Sequence, residues 1–191
     1  YRLGRQMGHY TPRSVVCELY LNGNYQGVYV LMEKVKQGPN RVNIAKLKPA
    51  DASGNDITGG YILKIDKETG SNNDYWSSQY HPKNLANRYI NFLYDHPKAD
   101  EITSLQKSYI QSFVKQFENS LTTTYFTNPQ IGYQKYIDMN SFVDYFIMNE
   151  ASKNVDGFRI STYFHKDRAD RGNKLVAGPL WDYNIAFGNA D

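Results

Sequence analysis

Cysteine is nearly absent. Cys17 is the single one among 191 residues, which excludes an internal disulfide and any cysteine-based zinc site. It stands in the alternating run VVCELYLN and is expected to be a buried structural thiol. His9, His81, His96 and His165 are scattered, with no pair at metal-ligand spacing, and read as surface or structural groups. Charge is close to balanced: 22 Lys and Arg against 19 Asp and Glu leave +3, so charge makes no case for nucleic acid. No apolar run approaches the roughly 18 residues that a membrane span needs, and this segment is not transmembrane. A G-x-G-x-x-G loop, a Ser-His-Asp order and a nucleophile elbow are all missing. The opening YRLGRQMGHY does not begin with Met and has no signal-peptide pattern. It reads like the tail of a helix, so part of a longer domain is expected.

What is abundant is tyrosine, 17 residues of it, together with many asparagines. Such composition is common on secreted and cell-surface proteins and also suits aromatic binding of carbohydrate. The first half reads as strands. VVCELYLNGNYQGVYVLMEKV holds two alternating runs about Asn22-Gly23, a strong hairpin signal. GGYILKIDK is a third strand bounded by glycines, and NRYINFLYDHP a further one. Between them, SNNDYWSSQYHP is polar and irregular.

The second half changes period. From Ala99 or Asp100, the residues Ile102, Leu105, Tyr109, Phe113 and Phe117 recur at helical spacing behind an acidic first turn. DMNSFVDYFIMNEASKN repeats the pattern, with Phe142, Tyr145, Phe146 and Met148 expected inward and Asp138 or Asn140 as the cap. The fold class is α+β: a strand-rich first part over residues 1–97, then two helices and a terminal hairpin over 98–191.

That last hairpin carries the chemistry. Phe158, Ile160, Thr162 and Phe164 alternate with polar residues, KDRADRGN turns, and KLVAGPLW returns. A turn near Ala169 or Asp170 pairs Asp156 with about Asn184, making Asp182 its diagonal neighbour at roughly 7–8 Å. Two carboxylates that close need water, a proton or a cation between them. Mg²⁺ suits such a place, since it takes one or two carboxylates plus water and phosphate oxygens. The plainer reading is that Asp156 caps a turn before Gly157 and Asp182 binds backbone amides. One template fits both feet. In protein kinases an Asp with an Asn five residues later opens a short hairpin that ends in a metal-binding Asp. Here Asp156 is followed by Ser161 at the Asn position, and Asp182 precedes Phe187-Gly188.

LYLNGNYQGVYVLMEKV, NVDGFRISTYFHKD and GPLWDYNIAFGN, in that order, resemble the spore coat protein H (CotH) kinase family. The resemblance runs from near residue 10 to the end. It implies an atypical protein-kinase-like fold and ATP- and Mg²⁺-dependent phosphorylation of Ser or Thr on a protein substrate. Asp156 is then the catalytic-loop Asp, Asp182 the metal-binding Asp, and Glu33 a residue near the nucleotide. It also implies an extracellular or cell-surface setting, while the spore-coat substrate is not carried over. Two positions depart from the family pattern: Ser161 replaces an Asn ligand, and Asn184 stands where a second Asp is common. Both lower the expected metal affinity.

On the nucleotide side, Lys64 in GGYILKID is a candidate phosphate-binding lysine, and Arg41 in NRVNI a candidate phosphate contact. Each also reads as an ordinary solvated residue, and Glu33 as a strand-end cap. The rival function is a non-catalytic surface module that binds peptide, protein or glycan on the same scaffold, with Trp76 as an exposed aromatic. A carboxylate-pair glycosidase has no further support.

Overall fold

The computed structural model describes residues 1–68, 74–82, 85 and 88–190. The fold is α+β. After a short helix α1 (Arg2–Gln6), strands β1 (Ser14–Leu21) and β2 (Asn24–Met32) form a separate antiparallel ribbon. Its turn residues Asn22 and Gly23 both have positive φ, +50° and +81°. This is the backbone that an Asn-Gly loop adopts at low cost and that matches strand twist. One register shift between Leu19 and Tyr20 marks a bulge.

A second sheet holds five antiparallel strands in the order β4-β5-β3-β6-β7: β3 (Tyr61–Ile65), β4 (Tyr75–Ser77), β5 (Asn91–His96), β6 (Thr162–Lys166) and β7 (Leu175–Ala177). Strands from both sides of residue 97 thus share one sheet, with Ile62 opposite His165 and Lys64 opposite Tyr163. Both faces are covered, which explains the apolar run of YIL in β3. Tyr61, Leu63, Phe92 and Tyr94 pack with Leu47, Ile102, Ile110 and Val114 on one side. Ile62 and Tyr163 pack with Val35, Val42, Ile44 and, at the edge, Tyr10 and Trp181 on the other.

Helix α2 (Ser104–Leu121) begins later than the acidic residues implied. Thr103 is its N-cap in a reciprocal capping box with Gln106. The buried stripe is Gln106, Ile110, Val114 and Ser120, and Leu105 is exposed. The inward face is therefore turned by one residue from the expected one. The cause is Gln106, which is polar yet fully satisfied. Its amide donates to the carbonyls of Lys48 at 2.7 Å and Asp51 at 3.1 Å, and its Oε1 accepts from Thr103 N at 3.1 Å. A paired amide can occupy a core position that the pattern reserves for an apolar group. Helix α3 (Met139–Ser152) is capped by Asp138 as expected, and Tyr145 and Met148 pack on Ala177 and Leu180. Phe146 is instead exposed, 5.8 Å from the ring of Phe158.

Two other expectations change. Cys17 is only half buried, because no layer covers β1 among the described residues. Trp76 lies half buried in β4, stacked 5.2 Å from Phe92 and tilted 5.0 Å from Tyr94, as packing rather than a loop-borne aromatic. Part of the polar stretch around it, residues 71–73, lies outside the described residues. Among the described residues no helix is long and apolar enough to cross a membrane.

The least expected core residue is Lys166, at the end of β6 and fully buried. Its ammonium reaches Thr58 O, Asn173 Oδ1 at 3.0 Å and Asp167 O at 3.3 Å, over the ring of Phe113 at 4.5 Å. It ties the loops on either side of the sheet to one strand end. Burial pushes it down from 10.5 to about 8. Between those values the unfolded chain holds a proton that the folded chain lacks. This group's contribution is therefore lost as pH falls through 8 and grows as pH rises toward 10.5. The difference in stability between wild type and Lys166→Met, measured by chemical denaturation at pH 7.5, 8.5 and 9.5, is expected to move in favour of wild type as pH rises. A pH-independent difference would refute this account.

Candidate functional site

The site is built on the turn between α3 and β6. Lys153, with φ +52°, ends α3. The chain then folds over a pair of buried amides. Asn149 Nδ2 donates to Tyr145 O at 2.9 Å, Asn154 Nδ2 donates to Asn149 Oδ1 at 3.1 Å, and Asn154 Oδ1 accepts from Asp156 N at 3.4 Å. Gly157 is pressed against Asn149, so that a Cβ there would collide with the amide. The Tyr145 hydroxyl lies 2.5 Å from Gly157 O and 3.1 Å from Thr162 Oγ1. The Asp156 turn is thus gripped from beneath.

The two feet are not ladder neighbours, as the sequence had implied. Residues 156–161 form turns, closed by Arg159 N and Ile160 N donating to Asp156 O. The ribbon proper is short, with Phe164, His165 and Lys166 opposite Ala177, Val176 and Leu175, one residue off the expected mirror. The contact that forms is between Ser161 and Asp182: Oγ donates to Oδ2 at 3.1 Å. Ser161 has φ +55° and Asp182 φ +60°. A non-glycine residue held there costs on the order of 1 kcal/mol or more, and such positions cluster at functional sites. Here two of them meet in one hydrogen bond. Asp182 N also donates to the Tyr1 hydroxyl at 3.1 Å.

Asp156 is half buried, and its Oδ1 pairs with the exposed Arg159 at 2.6 Å. Its Oδ2 takes no hydrogen bond among the described residues. Asn184 is exposed. Its carbonyl accepts from Asn189 Nδ2 at 2.6 Å, and no hydrogen bond joins its amide to Asp182 or Ser161.

Glu33 and Arg41 come together at the foot of the β1–β2 ribbon. Glu33 accepts from Arg13 Nε at 2.8 Å and Arg13 N at 3.0 Å, with Arg41 at 3.5 Å and the Tyr10 hydroxyl at 3.4 Å. The Arg13 side chain and amide hold its carboxyl down near 2. Its partners are two arginines and a tyrosine hydroxyl, and Lys64 is not among them. Arg41 also lines a cleft of about 280 Å³ with His9, Tyr10, Met148, His165 and Leu180. Lys64 lies apart, paired with Asp66 at 3.2 Å in a groove shared with Asp95 and Lys98.

Tyr163, opposite Lys64 in the sheet, links these regions. Burial raises its hydroxyl well above the usual phenol range, and the charges of Asp95, Asp66 and Asp182 add to this. Trp181 packs edge-on to it at 6.2 Å. Sequence reasoning passed over Tyr163, Arg13, Asn149 and Asn154. Arg13 was reachable, since the hairpin register runs on to pair it with Glu33. Two asparagines five apart carry no pattern of their own.

For a metal, the donors at hand are the Asp182 carboxylate and the Ser161 hydroxyl, both hard oxygens. Among the described residues no group of three or more His, Cys, Asp or Glu could hold a metal ion. A closed all-protein site is therefore absent there. The donor set fits the sparing protein coordination of Mg²⁺ with a phosphate-bearing ligand.

A family model described as CotH kinase protein matches residues 1–191, and the chain belongs to that family. No curated protein and no solved structure matches it.

The grip on the Asp156 turn can be measured. Gly157→Ala forces a methyl into the Asn149 amide, and such overpacking costs about 1–3 kcal/mol. Urea denaturation should show a loss of that order. An unchanged midpoint would mean that the turn is not held by Asn149.

Proposed function

We propose that this member of the CotH kinase family is an ATP- and Mg²⁺-dependent phosphotransferase that modifies Ser or Thr hydroxyls of a protein. The observation that carries the reading is the Ser161–Asp182 contact, made by two left-handed residues at the outer end of the β6–β7 hairpin with Asp156 on the same turn. Family membership supplies the class of activity. The kinase-like arrangement belongs to this proposal. Residues 1–97 supply the nucleotide side with Glu33, Arg41 and Lys64, and residues 98–191 supply the transfer side.

In this reading Asp156 accepts the hydrogen bond of the acceptor hydroxyl through Oδ2 while Arg159 holds Oδ1. The hydroxyl oxygen forms a bond to the γ-phosphorus as the bond to the β-bridging oxygen breaks, and ADP leaves with that electron pair. The hydroxyl proton passes to Asp156. Asp182 and Ser161 would hold Mg²⁺, which supplies charge neutralisation on the phosphates when bound. Little covalent work remains for the protein, so positioning dominates. The buried amides beneath Asp156 and the left-handed backbone at Ser161 and Asp182 support it. The cationic Arg41, beside the 280 Å³ cleft, suits the phosphate end of a nucleotide. Trp76 is half buried against Phe92 and Tyr94, so the surface-module alternative would rest on exposed aromatics elsewhere, such as Tyr125 and Phe126.

A thermal shift with ATP tests the site. At 100 times the dissociation constant, binding stabilises by about 2.7 kcal/mol, or roughly 5–10 °C for a domain of this size. That rise should require Mg²⁺ and vanish in Asp182→Ala. Asp156→Ala should keep the shift but lose about a hundredfold or more in phosphoryl transfer to a protein acceptor. A shift indifferent to both Mg²⁺ and Asp182 would sink the reading.

The Ser161 position gives an independent test. Asn tolerates the φ of +55° better than Ser and brings an amide carbonyl as ligand. Ser161→Asn should lower the Mg²⁺ concentration needed for half the ATP-induced shift by several-fold. An increase in that concentration would argue against Ser161 as a metal-facing residue.

A further inference from the structure

We infer that Tyr183 is the positioning residue that sets Asp156 against Asp182, acting through the side-chain amide of Asn154. This role rests on the phosphotransferase reading above. The two carboxylates are not ladder neighbours, so strand pairing does not fix their separation. Tyr183 follows Asp182 directly, and the left-handed φ of +60° at Asp182 turns the chain there. The Tyr183 side chain packs with Tyr145 and Met148 of α3 and with Ala177 and Leu180. Tyr1 braces the pair. Its ring stands edge-on to Tyr183 at 6.2 Å, and its hydroxyl accepts from Asp182 N at 3.1 Å.

The hydroxyl of Tyr183 is the unusual part. Its oxygen is buried and has no hydrogen-bond partner among the described residues. The side chain of Asn154 acts on it without closing a bond of normal geometry. Asn154 is also the amide whose Oδ1 accepts from Asp156 N, at a long 3.4 Å. Its Nδ2 gives one hydrogen to Asn149 Oδ1 at 3.1 Å and keeps a second for the phenol oxygen. One side chain therefore starts beside Asp182 and ends at the group that holds the backbone of Asp156.

A buried hydroxyl without a partner costs stability, and phenylalanine would fill the same place without that cost. Packing therefore accounts for the ring and not for the oxygen. Closure onto Asn154 accounts for it. With nucleotide and metal bound at Asp182, the second Asn154 hydrogen is donated to the phenol oxygen. That fixes the amide and tightens its hold on Asp156 N. Order at Asp182 is passed in this way to Asp156, whose Oδ2 must meet the acceptor hydroxyl.

Tyr183→Phe removes the oxygen and keeps the ring. Water stands in for the acceptor hydroxyl, so ADP released from Mg²⁺–ATP by the chain alone reports on Asp156. The expected result is a urea midpoint unchanged or higher, a retained Mg²⁺-dependent ATP shift, a KM for ATP within about twofold and a kcat lower by about tenfold or more. In an Asn154→Ala background the same substitution should make no further difference to kcat. Circular dichroism checks folding, and Tyr183→Phe decides alone if Asn154→Ala does not fold. A lower urea midpoint would mark a merely structural tyrosine and overturn the role. An unchanged kcat, or an equal loss in the Asn154→Ala background, would overturn it too. Wild type that releases no ADP refutes the phosphotransferase reading instead, and the role falls with it.

Discussion

The pairing of β3 with β6 is the constraint on which the rest depends. Strand β6 is bonded on both sides, to β3 and to β7. It begins one residue after Ser161 and ends at Lys166. Its register against β3 sets Tyr163 beside Lys64 and His165 beside Ile62. Its near end holds the Ser161–Asp182 bond, and its far end holds the buried ammonium that ties in Thr58 and Asn173. A one-residue slip would turn Tyr163 to the α2 face and Lys166 out of its cage, since side chains alternate along a strand. The fully satisfied ammonium thus acts as a register lock as well as a packing group.

What was legible in the sequence was local. The Asn22-Gly23 turn with its flanking alternation specified β1 and β2, and the capped 3.6-residue patterns specified α2 and α3. What was not legible depended on partners distant in the chain. Gln106 could be buried only because Lys48 and Asp51 offer carbonyls, and no helical pattern encodes that. Cys17 looked buried because alternation implies one covered face, yet the cover is not supplied by the described residues. At the site, the sequence singled out Asp156, Ser161 and Asp182, and the structure joins Ser161 to Asp182 while placing Asp156 at the start of the turns that lead to Ser161, outside the ladder. The ladder argument failed there because the strands end early. Alternation from Phe158 to Ile160 was read as extended chain, whereas these residues close turns on Asp156 O.

On the proposed reading those turns matter to the chemistry. A residue in a regular ribbon has its backbone committed to the ladder and its side chain normal to the sheet. Moving Asp156 onto a turn frees its direction, and the cost of that freedom is met by the Asn149–Asn154 amides and by Tyr145. The left-handed backbone at Ser161 and Asp182 works in the same sense. Each side chain is aimed by an unusual φ that the surrounding hydrogen bonds maintain, which is preorganisation at the expense of local stability.

The charge at this end of the hairpin then bears on how the proposed site would operate. Asp182 is the one carboxylate joined to Ser161, and Asn184 brings no charge. Asp156 is already neutralised in part by Arg159 at 2.6 Å. With one carboxylate and one hydroxyl, the protein offers Mg²⁺ little on its own, because this ion holds its waters tightly and seeks several anionic oxygens. Phosphate oxygens would supply the missing ones. On the proposed reading, metal and nucleotide therefore bind as one unit, each making the site for the other, and the coupling is reciprocal by thermodynamic necessity. On that reading a neutral residue at 184 leaves the burden of metal affinity with the substrate.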